Sequence, residues 1–327
     1  MAELSVHLDR PYVPGVLEHL RSLLEPGIRL TVGPDLPAPA RYHVLVAGRP
    51  SPEEIAASPN LCALIVPWAG IPPATRELLR GFPHIAVHNL HYNDVTTAEM
   101  AVTLMLAAAK RIVPIDRTFR QHDWTPRYQP NPSLALEGRT ALILGYGAIG
   151  QRVARACRGL GMRVLAIRRC PEKAPPGLPD AVHPPHALRQ LLPQADVLVV
   201  CLPHTPETEG LIGAGELALL PAQALLVNVA RGPIVDEAAL YHALCDGTLY
   251  GAGLDVWYNY PADEAARPHT PPSAYPFHEL DNVVMSPHRA GGSVDKEERR
   301  MARLAVLLNA ARRGEEMPNR VDLAAGY

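Results

Sequence analysis

The chain has 327 residues, of which 47% are hydrophobic, and a formal net charge of -2. This length favours two domains, and a charge near zero without a basic block argues against a nucleic-acid partner. No apolar run is long enough to span a membrane, and acidic residues near the start argue against a secretory signal. The five cysteines and 14 histidines show neither a CxxC pair nor a metal-ligand spacing. We therefore expect reduced thiols, a cytoplasmic protein and no metal.

The first hundred residues alternate short apolar runs with amphipathic ones. Strands are predicted at 4–8, 42–47, 61–66 and 85–87, and helices at 16–24, 52–57 and 75–79. This alternation predicts a small parallel sheet with helices on its faces. A long helix is predicted over 95–112, and the polar, proline-containing stretch 117–133 is predicted to be irregular.

A second alternating series begins at Thr140. Strands are predicted at 141–144, 163–167, 197–201, 224–229, 251–255 and 283–286, with a helix at 148–160. A terminal helix is predicted over 295–313, with an apolar face that includes Met301 and Leu304. We expect this helix to pack on the first domain, which would make that domain discontinuous.

A glycine-rich turn follows the first strand of the second series. The sequence there is Gly145-Tyr146-Gly147-Ala148-Ile149-Gly150, and a predicted helix follows directly. Glycines at these positions permit a tight turn, close approach of the backbone to a pyrophosphate, and close contact of helix and strand. The helix N-terminus offers unpaired N–H groups to the anion. Between a strand and a helix, this motif predicts a dinucleotide site.

The next predicted strand ends at Arg168 and Arg169. An Asp or Glu at this place binds the adenosine ribose of NAD, whereas a guanidinium pairs with the extra 2′-phosphate of NADP. The arginines therefore predict that NADP (NADPH) is preferred and that NAD is possible. The alternative is that both arginines are solvated side chains on a loop.

Chemically useful side chains follow four other predicted strands, at the edge where open α/β sheets bind ligands. The four segments are Trp68-Ala69-Gly70-Ile71, Arg231, Asp255 and His288. The small residues of the first segment leave backbone N–H groups for a carboxylate, although an ordinary connecting loop fits that segment equally well. An arginine beyond a strand can bind a carboxylate with both arms of its guanidinium. A histidine fixed after Pro287 is well placed for proton transfer.

Several motifs in fixed order resemble the D-isomer-specific 2-hydroxyacid dehydrogenase family over nearly the whole chain. They are Asn89 with Ala98-Glu99, the glycine motif, residues 202–208, 228–232 and 251–256, and Pro287-His288. The resemblance implies two Rossmann/flavodoxin-like α/β domains with parallel sheets and an active-site cleft between them. Residues 1–97 with 291–327 would form the substrate-binding domain and 98–290 the dinucleotide-binding domain. It also implies a homodimer formed partly by the long helix, with an aromatic such as Trp124 near the partner's site.

The resemblance also implies residue roles. His288 would be the acid/base, Arg231 would polarise the substrate carbonyl, Asp255 would contact the nicotinamide carboxamide, and residues 68–71 would bind the substrate carboxylate. The implied cofactor site comprises Gly145, Tyr146, Gly147, Ala148, Ile149, Gly150, Arg168, Arg169, Cys201, Leu202, Pro203, Thr208, Val229, Ala230, Arg231, Asp255 and His288.

One position departs from the family pattern. Most members have a carboxylate five residues after the aspartate, where it pairs with the catalytic histidine, but this chain has Tyr260. Formate dehydrogenases of the same superfamily have a neutral amide there, and a serine where this chain has Ala290. Asp263 and Glu264 follow closely as substitute acids. We assign Tyr260 to the catalytic group in place of the carboxylate.

The expected function is reduction of a small 2-keto acid, such as glyoxylate or hydroxypyruvate, to the D-2-hydroxy acid by hydride transfer from NADPH. Two alternatives stay open. The missing carboxylate is compatible with a dehydrogenase of another small anion, such as formate or phosphite. A nucleotide-sensing binding protein with weak catalysis is the alternative from another class.

Overall fold

The computed structural model describes residues 3–175, 177 and 179–323. The chain divides into two compact units, Met1–Asn93 with Ser293–Tyr327, and Asp94–Gly292. The long helix that begins at Asp94 belongs to the second unit from its first residue. The first unit is discontinuous because the terminal helix, Lys296–Arg313, contributes buried Met301 and Leu304 to the same core as the first strand.

The first unit contains a five-stranded parallel sheet in the order β2-β1-β3-β4-β5. The strands are β1 (Leu4–Leu8), β2 (Ile28–Val32), β3 (Val44–Val46), β4 (Ala63–Val66) and β5 (Ala86–Asn89). Its connecting helices are α1 (Pro14–Leu23), α2 (Pro52–Ala57) and α3 (Pro73–Arg80). Each of these helices begins with a proline, whose fixed φ suits the first helical position and whose missing N–H is not needed there.

The second unit contains a seven-stranded parallel sheet in the order β12-β11-β10-β9-β6-β7-β8. The strands are β6 (Thr140–Leu144), β7 (Arg163–Ile167), β8 (Ala181–His183), β9 (Val197–Val200), β10 (Leu225–Asn228), β11 (Gly251–Leu254) and β12 (Val283–Met285). The helices are α4 (Asp94–Ala109), α5 (Ile112–Phe119), α6 (Thr125–Tyr128), α7 (Ala148–Gly159), α8 (Leu188–Leu191), α9 (Ala214–Leu217) and α10 (Glu237–Cys245). The two parallel α/β sheets confirm the predicted fold class.

The structure differs from the sequence predictions at the sheet edges, at the end of the long helix and in the stretch that follows it. Strands β2 and β8 were not predicted, because each lies at a sheet edge and lacks a buried apolar pattern. The helix predicted over 95–112 ends at Ala109, and Arg111 has a left-handed backbone with φ 53°. The Arg111 guanidinium donates to the Tyr250 carbonyl at 2.8 Å and lies over the Tyr250 ring, which holds this break. Two short helices, α5 and α6, then occupy part of the stretch predicted to be irregular.

Helix α4 lies directly on the second sheet. A Cβ added to Gly253 of β11 would lie 2.7 Å from Leu104 Cβ and 3.0 Å from the Leu104 carbonyl oxygen. Glycine is therefore required for the close approach of helix and strand. Among the described residues, no helix combines the length and apolar composition needed to cross a membrane.

We predict that Gly253→Ala lowers the free energy of unfolding by about 1–3 kcal/mol, the usual effect of forcing an extra methyl into a filled core. The measurement is chemical denaturation followed by circular dichroism. The matched control is Gly159→Ala at the end of α7, where a Cβ meets no atom within 4 Å. Equal stabilities of the two variants would contradict the assigned close contact.

Candidate active site

The predicted site residues of the second unit lie at the carboxyl ends of its parallel strands. The glycine motif follows β6, the two arginines follow β7, and Cys201 to Pro203 follow β9. Val229 to Arg231 follow β10, Asp255 follows β11, and His288 follows β12. The structure thus places all of them along one edge of a single sheet, where the carboxyl ends of parallel strands form a binding crevice.

The glycine motif has the geometry that a pyrophosphate site requires. Gly145 has φ 95°, and a Cβ there would lie 2.8 Å from the Cys201 carbonyl oxygen. A Cβ on Gly150 would lie 2.0 Å from the Gly145 oxygen, whereas a Cβ on Gly147 meets no atom within 4 Å. Helix α7 begins directly after Gly147 without a side-chain cap. The residues present therefore fit a dinucleotide, because the uncapped helix N-terminus faces open space.

The two arginines after β7 have different surroundings. Arg168 is half-buried. Burial raises the pKa of Tyr146 in the glycine motif, and the positive charges of Arg155 and Arg168 oppose that rise. Arg169 is exposed. The pKa of Glu207 is lowered by a hydrogen bond with Thr205, by its own backbone and by the charge of Arg169. Arg168 therefore lies on the side of the glycine motif, and Arg169 on the side of the loop after β9.

That loop is closed by one of the predicted cofactor residues. The Thr208 hydroxyl donates to the Pro203 carbonyl at 2.8 Å and accepts from the Thr205 N–H at 2.8 Å. The Cys201 N–H, at the base of the loop, donates to the Leu144 carbonyl at 2.8 Å. The Thr208 side chain therefore determines the shape of the loop, and Leu202 and Pro203 are held near the glycine motif.

Arg231 lies in a turn fixed by the last residue of β10. The Asn228 carboxamide accepts from the Ala230 N–H at 3.0 Å and donates to the Arg231 carbonyl at 2.9 Å. A Cβ on Gly232 would lie 2.4 Å from the Trp257 carbonyl oxygen, so this turn also contacts the segment after β11. The Arg231 side chain is exposed, and its Nη1 donates to the Ala230 carbonyl at 2.6 Å. This bond uses one N–H group of the guanidinium, so other N–H groups of Arg231 can donate to a ligand.

The His288 turn is built on Asp255, which is fully buried. Its Oδ1 accepts from the Ser286 hydroxyl at 2.5 Å and the Arg289 N–H at 2.9 Å, and its Oδ2 accepts from the Ala290 N–H at 3.0 Å. The Asp255 carbonyl accepts from the His288 N–H at 2.7 Å, and His288 has a left-handed backbone with φ 54°. Every one of these bonds fixes the backbone on either side of His288.

Tyr260 lies beside His288, as the sequence comparison with the family predicted. The two ring centroids are 5.4 Å apart and tilted by 59°. The Tyr260 hydroxyl, however, accepts from the Trp257 N–H at 3.2 Å. Tyr260 and His288 are therefore in contact through their rings. The Tyr260 hydroxyl stabilises its own loop through the bond from Trp257.

The charges around His288 determine its proton affinity. Burial of part of the ring and then the positive charge of Arg231 lower the pKa of His288, and the negative charge of Asp255 opposes them. Asp263, proposed above as a substitute acid, accepts from the Ala266 N–H, and Glu264 pairs with Arg267. Neither carboxylate affects the pKa of His288. The negative charge that acts to raise this pKa is that of Asp255.

In the first unit, residues 68–71 follow β4. The Trp68 indole covers Gly48, where an added Cβ would lie within 1.8 Å of the ring. The Trp68 side chain is therefore used in packing. The N–H groups of Ala69, Gly70 and Ile71 donate to no backbone carbonyl among the described residues, which leaves them available to an anion.

Sequence reasoning missed the residues that support the site. Asn228, Ser286 and Trp257 lie within or next to motifs identified above, but no role was assigned to them. The Trp257 Nε1 donates to the Ser286 carbonyl at 2.8 Å, which adds a second support to the His288 turn. For Asn228 the available signal was a polar residue at the last position of a buried strand. Within the described part of the chain, no group of three or more His, Cys, Asp or Glu side chains is placed to hold a metal ion.

Residues 102–290 match the model of the D-isomer specific 2-hydroxyacid dehydrogenase NAD binding domain. The chain belongs to the D-isomer specific 2-hydroxyacid dehydrogenase family, which confirms the resemblance seen in the sequence. The second unit is therefore a nicotinamide-cofactor domain.

Named relatives share this family. A glyoxylate reductase from Korarchaeum cryptofilum is 39% identical over 232 residues, which cover 69% of this chain and 66% of that protein. A glycerate dehydrogenase from Methylorubrum extorquens is 36% identical over 218 residues, which cover 65% of this chain and 63% of that protein. The chain thus aligns with about two thirds of the length of these relatives.

Solved structures are similar over the full chain. A D-isomer specific 2-hydroxyacid dehydrogenase from Xanthobacter autotrophicus Py2, in complex with NADPH and MES, has a TM-score of 0.76 at 26% identity and covers 100% of both chains. An NADPH-dependent glyoxylate/hydroxypyruvate reductase from Sinorhizobium meliloti, in complex with NADP and malonate, has a TM-score of 0.72 at 26% identity. It covers 99% of this chain and 98% of that one.

Proposed function

We propose that this protein is an NADPH-preferring reductase that converts a small 2-keto acid, of the size of glyoxylate or hydroxypyruvate, to the D-2-hydroxy acid. The observation that carries the proposal is the placement of His288 and Arg231 after strands of one sheet edge, with the His288 turn fixed by buried Asp255. The relatives named for glyoxylate and hydroxypyruvate reduction support the substrate class.

The five cysteines, all unpaired, agree with a reducing compartment, and we place the protein in the cytoplasm.

The proposed cofactor site uses the edge of the second sheet. Backbone N–H groups at Gly147 and the start of α7 would hold the pyrophosphate, and Arg168 with Arg169 would hold the 2′-phosphate. The loop from Cys201 to Thr208 and the turn from Val229 to Arg231 would line the remaining surface. When bound, the nicotinamide supplies the hydride for the reaction.

The protein's own groups would carry the rest of the reaction. Arg231 would bind the keto acid through its guanidinium and stabilise the negative charge that grows on the carbonyl oxygen. His288 would hold a proton on its ring and donate it to that oxygen. The N–H groups of Ala69, Gly70 and Ile71 would bind the substrate carboxylate. Asp255 would keep His288 in place, since three hydrogen-bond donors from the His288 turn occupy its carboxylate.

The experiment that tests the function is a steady-state panel of glyoxylate, hydroxypyruvate and larger 2-keto acids with NADPH and NADH, followed by absorbance. Formate and phosphite with NADP and NAD form the second arm, because the missing carboxylate beside His288 is shared with formate dehydrogenases. We expect turnover in the first arm. Turnover only in the second arm would replace the proposed substrate, and cofactor binding without turnover in either arm would identify a sensor.

We predict that kcat/KM with NADPH exceeds that with NADH by about 10-fold to 100-fold, the effect of one charge-assisted pair with the 2′-phosphate. Arg168→Asp should weaken NADPH and improve NADH, because a carboxylate repels the phosphate and binds the ribose. The control is Arg163→Asp, which makes the same charge change at the exposed opposite end of β7. Equal kcat/KM for the two cofactors in the wild-type protein would contradict the preference.

Arg231→Ala should lower kcat/KM for keto-acid reduction by at least about 100-fold, the scale for losing one preorganised group that stabilises developing charge. Arg231→Lys should restore little, because an ammonium cannot reproduce the two-armed contact. The matched control is Arg267→Ala, whose exposed partner Glu264 lies outside the proposed chemistry. Near-normal activity of a folded Arg231→Ala protein would remove this residue from the mechanism.

The pH dependence should follow the lowered pKa of His288. Reduction uses the protonated ring, so kcat/KM should fall as pH rises through a value below the ordinary histidine pKa of about 6.5. Tyr260→Glu should move this limb to higher pH, because a nearby negative charge stabilises the imidazolium. Tyr260→Phe should leave the limb in place, since the hydroxyl bonds to Trp257. A wild-type profile that stays flat to above about pH 8 and is unchanged in Tyr260→Glu would contradict this assignment.

We also propose a homodimer formed partly by α4 and extended by the aromatic segment that follows it. Phe119 and Trp124 meet edge to face at 4.8 Å while remaining 49% and 58% exposed, and Tyr128 is 80% exposed. Exposed aromatic clusters of this kind mark interaction surfaces. In sedimentation velocity the wild type should be a dimer, and Trp124→Ser with Tyr128→Ser should dissociate it. The control is Val294→Ser, another exposed apolar residue. A monomeric wild type would contradict the proposal.

A further inference from the structure

The loop of residues 68–71 is held by the end of the neighbouring strand β5. The Asn89 Nδ2 donates to the Ala69 carbonyl at 2.7 Å, and the Leu90 N–H donates to the Trp68 carbonyl at 3.3 Å. Asn89 is only 5% exposed. Two successive carbonyl groups of the loop therefore point toward β5.

The orientation of these carbonyls determines the direction of the next N–H groups. In a trans peptide the N–H of one residue points opposite to the carbonyl of the residue before it. The only cis peptide bond among the described residues is Ala38–Pro39, so the loop peptides are trans. The N–H groups of Ala69 and Gly70 therefore point away from β5, and neither donates to a backbone carbonyl among the described residues.

Asn89 is itself fixed by the C-terminal segment, residues 318–321. The Asn89 N–H donates to the Asn319 carbonyl at 3.2 Å, and the Asn319 Nδ2 donates to the Asn89 carbonyl at 3.2 Å. His88 Nδ1 lies 2.9 Å from the Pro318 carbonyl, and the Val321 N–H donates to the Val87 carbonyl at 2.8 Å. Asn319 has φ 58°, a left-handed conformation that asparagine tolerates better than most residues.

Only one end of the buried Asn89 amide is hydrogen-bonded. Its Oδ1 is buried and has no hydrogen-bond partner among the described residues. A buried acceptor without a partner is unfavourable, and an apolar residue of the same size would avoid this penalty. The bond from Nδ2 to the Ala69 carbonyl is therefore the hydrogen bond that this amide supplies to the loop.

From these contacts we infer that Asn89 and Asn319 are positioning residues for substrate binding. Together they orient the Ala69 and Gly70 N–H groups toward a carboxylate, and the C-terminal segment is part of that support. This inference rests on the proposed function, in which these N–H groups bind the carboxylate of the keto acid. Neither asparagine takes part in hydride or proton transfer, so both act on substrate affinity.

The test compares Asn89→Leu and Asn319→Gly with the wild-type protein. Leucine removes the donor to Ala69 at similar volume, and glycine keeps the left-handed backbone while removing the Asn319 side chain. The control is Asn309→Ala, which removes two hydrogen bonds in the same unit, to Leu23 and from Glu25, outside the loop. The readouts are KM and kcat for the keto acid, the Kd of oxalate by calorimetry, and the Kd of NADPH by fluorescence.

We expect the keto-acid KM and the oxalate Kd to rise by about 10-fold in Asn89→Leu and about 3-fold in Asn319→Gly, the scale of one hydrogen bond and of a weaker indirect effect. The NADPH Kd should stay unchanged, and Asn309→Ala should change only the thermal stability. Should Asn89→Leu fail to fold, Asn319→Gly carries the test alone, because its site is exposed.

Unchanged KM and oxalate affinity in the folded variants would overturn the positioning role and leave the proposed reductase intact. If the wild type binds oxalate but reduces no keto acid, and the variants still weaken oxalate, the proposed reaction fails while the positioning role holds. If the wild type neither binds oxalate nor turns over, both are wrong.

Discussion

The site depends on the buried carboxylate of Asp255. An ionised group without solvent must be satisfied by hydrogen bonds, because its desolvation is unfavourable. Here the available donors are the Ser286 hydroxyl and the N–H groups of Arg289 and Ala290. All three belong to the turn around His288, so satisfying the carboxylate fixes that turn. The left-handed backbone of His288 is maintained by this set of bonds, as strained conformations at functional sites commonly are.

The same strand ends are also constrained by close backbone contacts. Gly145 approaches the Cys201 carbonyl and Gly232 approaches the Trp257 carbonyl at distances that allow no Cβ. The turn after β6 is therefore packed against the turn after β9 through backbone atoms, and the turn after β10 against the turn after β11. The glycine motif and the turn bearing Arg231 each have a close backbone support, and preorganisation of charged groups requires such rigidity.

Tyr260 supplies no negative charge beside His288, where most family members have a carboxylate that raises the pKa of the histidine. A carboxylate in that place would stabilise the imidazolium, whereas the tyrosine presents a neutral ring at 5.4 Å. Burial and the charge of Arg231 then outweigh the opposing charge of Asp255 and lower the pKa of His288. The imidazolium of His288 is consequently a stronger acid than one paired with a carboxylate, and the ring loses its proton at a lower pH.

The sequence by itself determined the class of the fold, the family and the strand ends that carry the site. These follow from local features: apolar runs of strand length, glycines where backbone must approach backbone, and polar residues at the ends of buried strands. The break at Arg111, the edge strands β2 and β8, and the contacts of Asn89, Asn228 and Ser286 were decided by the tertiary structure. Except for Asn228, whose partners Ala230 and Arg231 are local, each depends on a partner distant in sequence, such as Tyr250 for Arg111 or Asn319 for Asn89. The Tyr260 hydroxyl accepts from the Trp257 N–H within its own loop, and only the path of that loop in the structure shows this contact.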